Sequence, residues 1–123
     1  MCKVLVIDDD IDMLDIIQSL LTRNGFDVQI DNNWQNGLEG IIEFDPQIIL
    51  LDVFLSGVDG LDICKQLKAN PHTSHIPVVI LSAYPRIAES AIDDYGADDF
   101  IAKPFEVSEL VSKIHSVLMQ TPV

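Results

Sequence analysis

A chain of 123 residues with 48% hydrophobic content is long enough for one domain around a single core and too apolar to stay disordered. Its formal net charge of -13 argues against direct nucleic-acid binding, which needs basic patches, and no apolar run approaches the roughly 20 residues of a membrane span. The start, Met1-Cys2-Lys3-Val4, passes straight into a strand-like run without a signal-peptide pattern, so the expected location is cytoplasmic.

Residues 3–8 read as a fully buried strand that ends in the acidic pair Asp8-Asp9. Asp10 is placed to cap a first helix over residues 11–23, with Ile11, Leu14, Ile17, Leu20 and Leu21 at helical spacing. Asn24-Gly25 stops it. A short strand over 26–30 follows, then a helix over 33–43 with Trp34, Leu38, Ile41 and Ile42 on its apolar side. Pro46 bars that helix from continuing. Residues 47–52, the most apolar strand, end at Asp52, and Ser56-Gly57-Val58-Asp59-Gly60 is a loop of turn formers.

A third helix is expected over 61–69, ending near Asn70-Pro71. A strand over 76–82 is opened by Pro77 and closes at Ser82. Residues 86–95 give a weaker helix, interrupted early by Pro85 and stopped by Gly96. The last strand spans 99–102, the last helix 106–119, and 120–123 form a short tail. Cys2 and Cys64 have no metal-ligand spacing and read as reduced thiols; His72, His75 and His115 form no cluster with them, so zinc is not expected.

Five apolar strands alternating with five helices imply an α/β fold, a five-stranded parallel sheet with helices on both faces. In such sheets ligands bind beyond the carboxyl ends of the strands, where strand order reverses. Asp8, Asp9, Asp52, Ser82 and Lys103 all lie at such ends. Gathering carboxylates is costly unless cations join them, and a divalent metal with one lysine would compensate. The pattern therefore points to a magnesium site around one reactive aspartate. Taken singly, each residue has a plainer reading. Asp8-Asp9 could be a solvated turn, Asp52 a loop cap, Ser82 a polar strand end, Lys103 a surface charge and Phe100 ordinary core.

The residues resemble a family, the receiver domain of two-component response regulators, over essentially the whole chain. Its motifs are Val6-Ile7-Asp8-Asp9, Leu51-Asp52 through Gly60, Ile80-Leu81-Ser82-Ala83, and Gly96-Ala97-Asp98-Asp99-Phe100-Ile101-Ala102-Lys103-Pro104-Phe105. The resemblance implies a (βα)5 flavodoxin-like doubly wound receiver fold and a single receiver domain over 1–123. It also implies that Asp52 takes a phosphoryl group from a sensor histidine kinase or a histidine phosphotransfer protein. Asp9 and Asp52 match direct Mg2+ ligands, Asp8 one acting through water, and the backbone carbonyl of Phe54 a further ligand. Lys103 matches a phosphoryl contact, and the Lys103-Pro104 bond one that is cis in the family. Ser82 and Phe100 match the switch pair that alters the face of the fourth helix, last strand and last helix.

Two departures stand out: Ser56 replaces the family's proline, and the stretch from Ser82 to Gly96 is short. Phe54 and Tyr84 match positions that in the family influence access of the hydrolytic water, and their bulk leads us to expect slow loss of phosphate. Such a domain catalyses its own phosphorylation and dephosphorylation without being a conventional enzyme. It signals to a downstream protein, with phosphorylation-dependent homodimerisation an open option. The alternative is a degenerate receiver acting only as a docking module, whose mark would be a lost acidic or lysine position. A magnesium-dependent aspartyl phosphatase usually has a second aspartate two residues after the nucleophile, where this chain has Phe54. A flavin module or P-loop protein would need a phosphate loop that is absent. The chain reads equally as a stand-alone receiver or as the first domain of a longer protein.

Overall fold

Runs such as Val4-Leu5-Val6-Ile7 present apolar side chains to both sides of a strand, so neither side can face water. The computed structural model describes residues 2–32, 37–55 and 57–120, with Phe54 and Leu55 described by their backbone. In it, β1 (Lys3–Ile7), β3 (Ile48–Asp52) and β6 (Val78–Ser82) form the centre of a five-stranded sheet, flanked by β2 (Asp27–Asp31) and β7 (Asp99–Ala102). The order is β2-β1-β3-β6-β7 and every pairing is parallel. All carboxyl ends therefore lie on one edge.

Strand side chains alternate between faces, and the core divides accordingly. Val4, Val6, Ile48, Leu50, Val79 and Leu81 pack with α1 (Ile11–Arg23) and α5 (Val107–Gln120). Leu5, Ile7, Ile49, Leu51, Val78 and Ile80 pack on the other side with α2 (Gly37–Phe44), α3 (Gly60–Ala69) and α4 (Ala88–Asp93). The expected doubly wound sheet is the one found.

Local chemistry sets the element ends. Asp10 caps α1 by accepting a hydrogen bond from the Met13 amide at 3.2 Å, and the chain leaves α1 through Gly25 at φ 90°. The buried stripe of α1 is Leu14, Ile17 and Leu21, whereas Ile11, in its first turn, is 57% exposed. Strand β2 begins one residue later than the sequence predicts, because Phe26 turns into the core and meets the His115 ring at 5.6 Å. Strand β6 starts at Val78, not residue 76. The Ile76 amide still belongs to a turn closed on the Thr73 carbonyl, and Pro77 offers only its carbonyl, which accepts from the Ile49 amide.

Two regions differ more. The expected helix over 86–95 is a 3-10 turn at Pro85–Ile87 followed by α4, only six residues long. Proline fits a first helical turn, where no amide partner is required. The segment expected to be a plain loop contains a ribbon in which β4 (Phe54–Leu55) pairs antiparallel with β5 (Val58–Asp59), and α3 begins directly at Gly60. The readings of Trp34, Ser56 and the tail beyond Gln120 fall outside the described residues; Gln120 itself closes α5. At the amino edge of the sheet, Cys2 and Leu118 line the same groove of about 480 Å3 with Gln47, Ile76 and Pro77. Both cysteines are free thiols, and burial pushes Cys64 up to about 11. No helix among the described residues is long and apolar enough to cross a membrane.

Candidate functional site

Asp8 follows β1, and its amide donates to the Asp31 carbonyl at 3.1 Å, which holds the turn against β2. Its side chain is fully buried and accepts from the Asp10 amide at 3.0 Å. Asp9, next in the chain, is exposed. Asp52 is the last residue of β3, the strand beside β1, and is 5% exposed. Lys103 follows β7, and its amide donates to the Ser82 carbonyl at 2.8 Å, which ties the end of β7 to that of β6. The Lys103-Pro104 peptide is cis.

These strand ends bring together groups up to 95 residues apart in sequence. Lys103 Nζ lies 2.8 Å from Asp8 Oδ2 and 3.3 Å from Asp52 Oδ1. Carboxylate oxygens of Asp8, Asp9 and Asp52 fall within 4.8 Å of one another. One ammonium thus bonds two of three clustered carboxylates, and it is closer to Asp8. The consequence appears at Asp52, whose pKa is pushed up to about 6. Burial is the main cause, the Asp8 charge adds to it, and Lys103 offsets only part. Burial alone would lower the Lys103 pKa, but its contacts with Asp8 and then Asp52 outweigh that and raise it.

The donor set fits magnesium: hard carboxylate oxygens, one of them solvent-facing, carrying more negative charge than the lysine neutralises. Ser82 is buried at the end of β6, one residue beyond Leu81, the register partner of Asp52. Its Oγ accepts from the Tyr84 amide at 3.0 Å. Phe100 is half-buried in β7, opposite Ile80, against the α3 side of the core. Tyr84 is 58% exposed. The Phe54 backbone lies in the ribbon after Asp52, and its side chain falls outside the description.

Lys103, expected from sequence to meet a phosphoryl oxygen, makes its shorter bond to Asp8, which no sequence signal indicates. An apolar groove of about 280 Å3, unexpected from sequence, lies between Met13, Ile16 and Ile17 of α1 and Pro104 and Phe105. Ile16, 58% exposed and off the buried stripe of α1, was the available signal.

Comparison with known proteins agrees with this arrangement. The sequence profile of the response regulator receiver domain matches residues 4–115. Response regulator ArlR of Staphylococcus saprophyticus is 35% identical over 99% of this chain and 54% of its own length. The DNA-binding dual master transcriptional regulator RpaA of Synechocystis is 34% identical over 98% of this chain and 51% of its own. The chain thus spans about half the length of these curated relatives. The crystal structure of the receiver domain of NtrX from Brucella abortus superposes with a TM-score of 0.84 at 31% identity, covering 95% of this chain and 98% of that one. With the sheet order, the acidic cluster and this match in agreement, the chain belongs to the response regulator receiver domain family.

Proposed function

We propose that Asp52 accepts a phosphoryl group from a phosphohistidine of a sensor histidine kinase or histidine phosphotransfer protein. The observation that carries this reading is the meeting of one ammonium and three carboxylates at the end of β3. An Asp52 carboxylate oxygen attacks phosphorus, the P–N bond breaks, and its electron pair stays on the donor imidazole. Near neutral pH the carboxyl, pushed up to about 6, is mostly the anion that attack requires. Asp9 and Asp52, Asp8 through water, and the Phe54 carbonyl would hold Mg2+, which supplies positive charge against the phosphoryl oxygens. Lys103 gives up its bond to Asp52 for a phosphoryl oxygen, and the Ser82 hydroxyl donates to another.

The switch follows from those two moves. Ser82 exchanges its present bond with the Tyr84 amide for the phosphoryl group, and Phe100 turns further into the core. Both residues lie on strands next to α4, so the face formed by α4, β7 and α5 changes. The domain spans residues 1–123, works in the cytoplasm, and passes its signal to a downstream protein or to a second copy of itself. The groove between α1 and Phe105, lined also by Asp10 and Pro104, offers apolar area to the protein that brings the phosphohistidine. The docking-only alternative finds no support, since no acidic or lysine position is missing.

Intact mass after incubation with acetyl phosphate tests the reading. A phosphate adduct that requires magnesium and disappears in Asp52→Asn is the expected result; no adduct on folded wild type overturns it. The bulk at Phe54 and Tyr84 predicts slow hydrolysis of that adduct. Phe54→Asn with Tyr84→Glu should shorten its lifetime, and an unchanged lifetime removes the rate role from these positions.

A further inference from the structure

Gly60 opens α3 with ordinary helical backbone, so no left-handed conformation explains a glycine there. Space does. A Cβ at this position would overlap the carbonyl oxygen of Asp52 and stand 2.8 Å from Val53 Cα and 2.9 Å from the Asp52 carbonyl carbon. All three are backbone atoms, which cannot swing aside as a side chain could. The seat is also bonded: the Gly60 amide donates to the Val53 carbonyl at 2.8 Å.

Nor can α3 retreat easily. At its start Asp59 accepts from the Leu61 amide at 2.9 Å and pairs with Phe54 in the ribbon. At its far end Lys68 donates to the Ile76 carbonyl at 2.8 Å and pairs with Asp98 at 2.7 Å. Between them Ile63, Cys64 and Leu67 are fully buried.

We propose that Gly60 is a positioning residue for Asp52. Its bare Cα sets how deep the Asp52 backbone sits, and so the reach of the carboxylate to Lys103, Asp8 and Asp9. The inference rests on the acceptor role proposed for Asp52. Any side chain at position 60 must displace the backbone of Asp52 and Val53 at the end of β3. A misplacement of about 1 Å at a reacting group can cost on the order of a hundredfold in rate.

The test compares wild type, Gly60→Ala and Ile114→Val, the last a mild core change on the opposite face of the sheet. Adduct formation from acetyl phosphate at saturating magnesium, magnesium affinity by titration calorimetry, and thermal stability are measured on each. Gly60→Ala should slow the adduct about tenfold or more and weaken magnesium binding, while Ile114→Val leaves both at wild-type values. Wild-type rate and affinity in folded Gly60→Ala overturn the proposal. If wild type itself forms no adduct, the acceptor reading fails, and magnesium affinity still reports whether the seat positions Asp52. If Gly60→Ala does not fold, Asp59→Ala loosens the same seat without adding volume. Slower adduct formation there supports the proposal, and an unchanged rate overturns it.

Discussion

At Asp52, a carboxylate sits at a strand end where burial and Asp8 disfavour its charge more than Lys103 favours it. Its pKa is raised from 3.8 to about 6, so the folded state holds the proton more tightly than the unfolded chain does. Linkage then fixes the sign: this group's contribution is intact below the unfolded value, and stability falls as pH rises through the window from about 4 to 6. In the absence of magnesium, Asp52→Asn should remove that loss and stabilise the protein at pH 7 by on the order of 1–3 kcal/mol. It should have little effect at pH 4. Urea melts of both proteins at the two pH values check this, and equal gains at both would place the cause elsewhere than the charge. Asp52 thus opposes stability once ionised, because it lies buried with less counter-charge than its burial and Asp8 demand.

At the scale of elements, what could be read from sequence depended on how much of the signal was local. The helix predicted over residues 11–23 is α1 to the residue, since its cap, apolar spacing and Asn24-Gly25 stop are all contiguous. The central strands were legible because a continuous apolar run has few alternatives once helices flank it. The ribbon at Phe54–Leu55 and Val58–Asp59 was not, because two-residue strands are too short to show a period. The meaning of Gly60 was hidden for a different reason: it depends on the backbone packed against it. The convergence of Asp8, Asp52 and Lys103 was legible from strand ends, yet the preference of Lys103 for Asp8 is a matter of a fraction of an ångström. The tie at the end of α3 carries its own prediction. Lys68→Met removes the donor to the Ile76 carbonyl and the partner of Asp98, which keeps its bond from the Val78 amide. Because the pair is partly solvated, the cost should be only about 1 kcal/mol. Hydrogen exchange should quicken at the last turn of α3 and the start of β6; unchanged exchange there would mean that packing alone holds that end.

For the whole molecule, a charge of -13 means that any salt relieves self-repulsion, so a gain in melting temperature on adding magnesium is not by itself evidence of a site. The informative comparison is at constant ionic strength. Millimolar magnesium should then raise the melting temperature of wild type by a few degrees beyond sodium, through binding to the folded state alone. Asp9→Asn, whose exposed carboxylate belongs to the cluster, should lose most of that excess, and chelation should reverse it. Equal effects of the two cations would show screening rather than binding.

The groove shared by Cys2 and Leu118 has a practical consequence for anyone handling this protein. Both extremities of the described chain meet at the amino edge of the sheet, and the Asp52 carboxylate lies across its full width at the other. Fluorophores or surface anchors attached at the two extremities would sit together, on the side away from Asp52. An immobilised or doubly labelled domain would therefore keep the edge that carries Asp52 open to solvent. A pair of dyes there would report rearrangement of the body of the domain without crowding the acidic cluster.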